Sequence, residues 1–465
     1  MTLAERLAAV DAARPPVPLA ELVDRLATEG RLRGIRAADG RPLAPAGLAA
    51  GGGPGTVLLK GVVADSRASR PGVLFVAVAG DHQDGHDFVA GAAAAGAIAA
   101  IVEQPVAGAG LIQVVVDRSR AALASAAAWW FGDPSRELGI IGITGTDGKT
   151  TTSFLAAAAL EQAGIGTGLV GTVELRIGGM AEPTPEHQTT PEAPELQRLV
   201  RAMADAGDAA AVLETTSHGL ALERVAGIAY DAAVFTNLSH EHLELHGSFE
   251  AYRAAKLSLF ERLAARGPAK SGRAADLAWP RLAVINRDDA SAELFMAVAR
   301  EAGARLLTYG AEPGADVRAR RIEEDARRMS VSYDAPSGPA ELRLKLAGRF
   351  NVHNALAVVA LGEGLGLDPG AVQAGIEGVT GVPGRMERIE AGQPFTVIVD
   401  YAHTPVSLET VLELLGPVAA ASGGGLIAVF GSAGERDTEK RPMMGRIAGE
   451  RCRLVVVTDE DPRGE

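Results

Sequence analysis

The stretch "IIGITGTDGKTTTSFLAAAALEQAG", residues 140–164, limits the fold more than any other. An apolar run feeds a glycine turn that opens an Ala-rich helix, and in that order Gly-Lys-Thr reads as a phosphate cradle. Gly145 and Gly148 let backbone N–H groups point at phosphate oxygens, Lys149 supplies a point charge, and Thr150 is placed to reach a magnesium ion. The helix N-terminus adds its dipole. Thr144, Gly145, Thr146, Asp147, Gly148, Lys149, Thr150 and Thr151 are therefore the candidate ATP-contacting segment. A full P-loop carries glycine five residues before Gly148, and Ile143 stands there, so the loop is a shortened version. With 56 glycines in the chain, a purely structural turn is the alternative. The Lys-Thr-Thr-Thr run at the helix start favours phosphate.

At 465 residues the chain is long enough for about three domains. The first is placed at 1–137. Between about 55 and 130, the runs "GVLFVAVAG", "AIAAIVE" and "LIQVVV" alternate with Ala-rich amphipathic stretches, an α/β pattern. "FGDPSRELG" at 131–139 gathers Pro, Gly and charge and marks the boundary. The second is placed at 138–382. There the phosphate-loop strand, "AAVLE", "AAVFTN" and "RLAVIN" alternate with helices, which predicts a P-loop-type, doubly wound, mostly parallel sheet with ligands at the carboxyl ends of its strands. Residues 315–345 read as a small antiparallel excursion. The third is placed at 383–465, where "TVIVD", "LIAVF" and "RLVVVT" predict a Rossmann-like α/β unit. No helix follows the last strand, so this unit reads as incomplete.

A formal charge of −13 argues against a nucleic-acid partner, which needs clustered Lys and Arg. Cys452 is the single cysteine, which excludes an internal disulfide and a thiolate zinc cluster, and a reducing cytoplasm fits. The opening "MTLAERLAAVDAARPPVPLAELV" places Glu5, Asp11 and prolines where a signal peptide needs an apolar stretch. The greasiest stretch, "GAAAAGAIAAIVEQPVAGAGLIQVVV", is broken by Glu103 and Pro105 and does not read as a membrane span.

Further candidates lie at strand ends. Glu214 closes "AAVLE", where a carboxylate can take a second position on magnesium or simply face solvent. His240, His242 and His246 crowd "SHEHLELHG". The residue four after His240 is Glu244, so this is not the His-Glu-x-x-His zinc motif. An imidazole on a second magnesium, or near a triphosphate, fits better. Lys256 in "AYRAAKLSLF" is not distinguished by position alone. Asn286 and Asp288 in "INRDD" are suited to hydrogen-bond adenosine or to cap the next helix.

Taken together and in order, TGTDGKTTT, ETTSHGLALERV, FTNLSHEHL, AYRAAK, INRDD, FNVHNALA, GRMERI and VDYAHTP resemble the Mur ligases of peptidoglycan synthesis. "DSR" with "GDHQDGHDF", and "FGSAGERDTEKRPMMG", resemble the MurE type. The resemblance spans about residue 60 to the end. It implies an N-terminal domain for the UDP end of the substrate, a central ATPase domain, and a C-terminal domain that brings an amino acid. By this resemblance Ser66 and Arg67 sit near the UDP-sugar, and Thr189, Thr190, Ser217 and Arg224 hold the muramoyl-dipeptide. Glu214 and His242 match magnesium ligands, and Lys256 matches a lysine that is carbamylated into a further metal ligand. Arg385, Asp400, Tyr401 and His403 match nucleotide-contacting positions. The implied reaction phosphorylates the γ-carboxylate of D-Glu in UDP-N-acetylmuramoyl-L-alanyl-D-glutamate with ATP and Mg²⁺, after which a diamino acid's amine displaces phosphate. A cytoplasmic monomer is implied.

Two departures stand out. Asp147 replaces the family's usual Asn, adding negative charge near the phosphates. At the amino-acid selector, diaminopimelate-adding members carry Asp-Asn-Pro-Arg, and this chain has "EDPR", Glu460 to Arg463. Arg463 with Arg436 suits a carboxylate, and Glu460 with Asp461 suits an ammonium. Diaminopimelate carries both groups, so it is favoured over L-lysine and L-ornithine. The rival readings are a folylpolyglutamate synthase-like or cyanophycin synthetase-like ligase, and a non-catalytic nucleotide-binding paralogue.

Overall fold

The computed structural model describes residues 2–48, 56–80, 83–184, 188–239, 243–264, 269–324, 329–434, 438–462 and 464–465. At its centre the strand Gly139–Thr144 is buried at every position. It pairs in parallel with Ala210–Glu214 on one side and Ala232–Phe235 on the other. Cover on both faces is why this strand is a continuous apolar run rather than an alternating one. The chain leaves it through the helix Lys149–Gln162 toward Thr167–Val170, beyond Ala210–Glu214, and later returns to its opposite side. Connections that diverge from one strand open a crevice at its carboxyl end, which is where ligands bind in such sheets.

Among the described residues this sheet has 11 strands. Parallel pairing continues through Leu282–Asn286 and Arg305–Gly310 to Val317–Glu324. Antiparallel strands close both ends, Glu174–Ile177 with Met180–Pro183 at one and Met329–Ala335 with Gly338–Leu344 at the other. The excursion read at 315–345 is thus antiparallel within itself, and it extends the main sheet. Lys149–Gln162, Phe350–Leu365 and Pro369–Gly378 contribute to the core on one face, and Ala193–Ala206, Phe249–Glu261 and Ala292–Glu301 to that on the other. Phe350–Leu365 is buried almost all round, which accounts for its lack of a polar stripe.

A 5-stranded sheet forms the N-terminal unit, in the order Leu32–Arg36, Ile112–Val116, Ala99–Val102, Leu74–Val76 and Val62–Val63. Its pairs are parallel except for Leu32–Arg36. One apolar core runs from the helix Leu19–Thr28 through Ser119–Trp130 to Ala193–Ala206. The stretch "FGDPSRELG" therefore separates two sheets without separating their cores. The helix Leu3–Ala13 starts with a capping box between Thr2 and Glu5, and Asp11 pairs with Arg198 of the central unit at 2.6 Å.

In the C-terminal unit Ile427–Phe430 and Leu454–Val457 pair in parallel, with Lys440–Arg451 between them in sequence. "TVIVD" forms a strand, Val397–Val399, but its partner is Glu387–Ile389, antiparallel. The Asp400 carboxylate fixes this hairpin by accepting from Met386 N at 2.7 Å and Ala402 N at 2.9 Å. Among the described residues no helix is long and apolar enough to cross a membrane.

Candidate active site

Thr144 ends the central strand fully buried, and Thr146 and Thr151 are nearly so. Gly148, at φ 84, is the N-cap of Lys149–Gln162. A side chain there would be strained by the left-handed backbone, and its Cβ would lie 2.4 Å from Asn354 Oδ1. The turn is templated from the neighbouring strand. Asn237 accepts from Asp147 N through Oδ1 at 2.9 Å and donates from Nδ2 to Asp147 O at 3.1 Å. Thr236 Oγ1 donates to the same carbonyl at 2.6 Å. Thr146 Oγ1 lies 3.0 Å from the Tyr252 hydroxyl and accepts from Ser239 N at 2.9 Å. The carboxylate of Asp147 is exposed. Lys149 folds back over the turn, donating from Nζ to the carbonyls of Gly145 at 3.0 Å and Thr146 at 2.7 Å.

Beside the helix start sits an oxygen cluster. Glu214 is 1% exposed, and its Oε2 accepts from Thr150 Oγ1 and Thr172 Oγ1, each at 3.0 Å. Oε1 accepts from Thr172 N at 3.0 Å. Thr150 Oγ1 also accepts from Arg385 Nη2 at 3.0 Å. A carboxylate next to a hydroxyl, both hard oxygen donors, fits Mg²⁺. Among the described residues no group of three His, Cys, Asp or Glu is gathered for a metal. His240 and His242 lie outside the described residues. The ring of His246 is 5.3 Å from that of Tyr252.

Lys256 is 1% exposed. Its Nζ donates to Gly145 O at 2.7 Å and stands 4.5 Å from the centre of the Tyr252 ring. Two ammonium groups, from Lys149 and Lys256, thus meet on one carbonyl of the phosphate loop.

Thr189 and Thr190 stand next to the Glu214 cluster, and Arg224 reaches Thr190. Thr189 Oγ1 is 3.0 Å from Thr172 Oγ1. Thr190 Oγ1 donates to Glu214 O at 2.9 Å, and Thr190 O accepts from Arg224 Nη1 at 3.0 Å. Arg224 is also paired with Glu192 at 2.8 Å. Ser217 Oγ and Arg224 Nε are buried without a hydrogen-bond partner among the described residues. Orphaned polar atoms of this kind suit a polar ligand.

Asn286 donates from Nδ2 to Thr236 O at 2.7 Å, behind the phosphate loop. Asp288 accepts from Ala311 N at 2.7 Å and Glu312 N at 3.1 Å and bonds His353 Nε2 at 2.8 Å. Neither caps the following helix, whose N-cap is Ser291. Asp289 instead accepts from Ser291 N at 2.8 Å.

Arg385 stands 4.7 Å from the centre of the Tyr401 ring, and His403 Nδ1 is 3.0 Å from Tyr401 O. Asp400 serves the hairpin that carries them. Ser66 and Arg67 occupy a 3₁₀ turn in the N-terminal unit, capped by Asp65, with Arg67 outward. Glu460 is exposed and Asp461 O accepts from Gly434 N at 2.7 Å. Arg436 and Arg463 lie outside the described residues. Thr172, Asn237, Tyr252 and Asn354 were not singled out from sequence. "FTN" and "AYRAAK" contain two of them, but their contacts to the loop span about 90 to 106 positions.

Three family models match the chain: Mur ligase family, catalytic domain, over residues 58–130; Mur ligase middle domain over 143–362; and Mur ligase, glutamate ligase domain, over 384–465. A UDP-N-acetylmuramyl-tripeptide synthetase of Roseiflexus sp. (strain RS-1) is 49% identical over 414 residues, 88% of this chain and 79% of that protein. A UDP-N-acetylmuramoyl-L-alanyl-D-glutamate–2,6-diaminopimelate ligase of Geobacter metallireducens is 41% identical, covering 89% and 78%. A solved structure of a ligase of that same name superposes with a TM-score of 0.65 at 30% identity, covering 88% of this chain and 80% of that one.

Proposed function

The chain belongs to the Mur ligase family, and on that footing we propose that it joins a diamino acid to the D-Glu of UDP-N-acetylmuramoyl-L-alanyl-D-glutamate at the expense of ATP. The observation that carries this reading is the buried Thr150–Glu214 oxygen pair, 3.0 Å apart, beside the glycine turn that bears Lys149. Phosphoryl transfer asks the protein mainly for positioning and for positive charge near crowded oxygens.

In this reading the N–H groups at the start of Lys149–Gln162 receive the phosphates. Lys149 releases the carbonyls of Gly145 and Thr146 and turns its ammonium to the transferred group. Thr150 and Glu214 hold Mg²⁺, with His242 and carbamylated Lys256 as further ligands; the ion supplies charge neutralisation when bound. To act this way, Lys256 gives up Gly145 O. The γ-carboxylate of D-Glu attacks the terminal phosphorus and ADP leaves; the amine then attacks the acyl carbon, phosphate departs with the carboxylate oxygen, and the amine loses a proton. Thr189, Thr190, Ser217 and Arg224 hold the dipeptide, with the orphaned Ser217 Oγ and Arg224 Nε turned to it. Ser66 and Arg67 serve the UDP end. Arg385, Asp400, Tyr401 and His403 close over the nucleotide from the C-terminal side, and this closure excludes water from the acyl phosphate. Asn286 and Asp288 support the nucleotide pocket from beneath.

Meso-diaminopimelate is the proposed amine, because the residue types Arg436 and Arg463 suit its carboxylate and Glu460 and Asp461 its ammonium, in keeping with the name of the Geobacter relative. The work is assigned to the cytoplasm and to a monomer. The test is phosphate release with Mg-ATP and the UDP-dipeptide, in parallel with meso-diaminopimelate, L-lysine, L-ornithine or no amine. Release with a tripeptide product by mass for diaminopimelate supports the reading; release independent of any amine overturns it.

A further inference from the structure

Thr172 makes the most of its few atoms. It follows Gly171, outside any helix or strand, and it spends both its backbone N–H and its hydroxyl on Glu214, at 3.0 Å in each case. Gly171 clears the way, because a Cβ there would lie 2.4 Å from Glu214 Oε1. The hydroxyl of Thr172 also lies 3.0 Å from that of Thr189.

Counting protons fixes the direction of this chain. A threonine hydroxyl has one proton, and a carboxylate only accepts. Thr172 gives its proton to Glu214, so Thr189 gives its own to Thr172. Oε2 is then filled by Thr150 and Thr172, whereas Oε1 takes the Thr172 N–H and keeps a lone pair among the described residues. The carboxylate is held by both oxygens in one orientation, with one site left over.

We propose that Thr172 is a positioning residue for the reaction: it aims the remaining lone pair of Glu214 at the divalent cation and joins the metal carboxylate to Thr189 on the substrate side. This rests on the reading of Thr150 and Glu214 as the metal site given above. Partners that orient a ligating carboxylate affect metal affinity by about 10–100-fold. With the proton of Thr189 committed to Thr172, Thr189 offers a ligand its lone pairs. The substrate group it meets is therefore a donor, such as an amide N–H.

The test measures Mn²⁺ binding to the full chain with AMP-PNP, by the EPR signal of free Mn²⁺, for wild type, Thr172→Val, Thr172→Ser and Glu214→Gln. AMP-PNP affinity without metal and thermal unfolding are followed alongside. The expected result is Mn²⁺ binding weakened about 10–100-fold in Thr172→Val, recovered in Thr172→Ser, and lost in Glu214→Gln, with metal-free AMP-PNP affinity unchanged. Normal Mn²⁺ binding by Thr172→Val, with loss in Glu214→Gln, overturns the role of Thr172 and leaves the metal site standing. Normal binding in Glu214→Gln overturns the metal site and this proposal with it. Equal losses in the Val and Ser variants, or a loss of metal-free nucleotide binding in step with Mn²⁺, reduce Thr172 to a packing role.

Discussion

Arg385 donates from Nη2 to Thr150 Oγ1 at 3.0 Å, across 235 positions of sequence. The hairpin that leads into the C-terminal unit therefore touches the first turn of the phosphate-loop helix directly. Thr150 lends its proton to Glu214 and its lone pair to Arg385, so one hydroxyl links the helix after the glycine turn, the Glu214 carboxylate and the C-terminal unit. A guanidinium that also lies over the Tyr401 ring makes this contact, and an ammonium does not reproduce its planar fork of donors. Arg385→Lys is expected to lower kcat/KM for ATP by about tenfold or more, equivalent to roughly 1.4 kcal/mol, as read by steady-state kinetics. An unchanged kcat/KM would show that the contact plays no part in turnover.

Gly148 is a loop position where a side chain meets both strain and a clash. Gly148→Ala meets both the left-handed backbone, at φ 84, and Asn354 Oδ1 at 2.4 Å. The expected cost is on the order of 1–3 kcal/mol, measured by denaturant unfolding, with AMP-PNP affinity reduced in parallel. Adding Asn354→Ala removes only the clash, so recovery in the double variant is expected to be partial.

Lys270 and Asp231 form a largely buried ion pair at the foot of the central strand. Lys270 Nζ also donates to the carbonyls of Ser135, Leu138 and Ala229 at 2.8–2.9 Å, and Asp231 accepts from Ile140 N at 2.7 Å. The pair staples the link between the first two units to the foot of the central strand. Burial pushes the Asp231 carboxyl up and the Lys270 ammonium down, so each depends on the other for its charge. Lys270→Met leaves a carboxylate without its cation and is expected to cost about 3–5 kcal/mol, whereas Lys270→Met with Asp231→Leu is expected to recover much of it. Urea unfolding of the single and double variants measures the difference.

Asp288 contributes a pH dependence of its own. Burial pushes its carboxyl up, but the N–H of Ala311, the imidazole of His353 and the N–H of Glu312 outweigh it and hold it below the usual range. A depressed native pKa means that the carboxylate stabilises the fold fully above the unfolded value of about 4 and ceases to as pH falls through the native one. The stability gap between wild type and Asp288→Asn is therefore expected to be wide at neutral pH and to close on acidification below that value. Unfolding curves across the acid range check this; a gap that widens in acid would reverse the assignment.

Sequence made the phosphate loop legible because its signal is local. Strand, glycine turn, lysine and helix are adjacent, and each constrains the next. Glu214 was legible for a similar reason, as a charge closing an apolar run. Thr172, Asn237 and Tyr252 were not, because a threonine, an asparagine and a tyrosine are ordinary residues until the sheet brings the first against Glu214 and the other two against the loop from far along the chain. Asn286 and Asp288 show the converse. Their side chains are drawn inward to Thr236 O and the 311–312 turn, partners that no local pattern names. The strand at Val397–Val399 is legible as an apolar run, whereas its antiparallel partner Glu387–Ile389 is not, since that pairing depends on Asp400 folding the hairpin back.

The most direct measurement follows an oxygen atom. UDP-N-acetylmuramoyl-L-alanyl-D-glutamate labelled with ¹⁸O in the γ-carboxylate is turned over with Mg-ATP and meso-diaminopimelate, and the released phosphate is examined by ³¹P NMR. Attack of the carboxylate on phosphorus followed by displacement by the amine leaves one labelled oxygen in each phosphate, which is the expected result. Unlabelled phosphate would mean that ATP does not activate this carboxylate, and the assignment of Lys149, Thr150 and Glu214 to that step would fall.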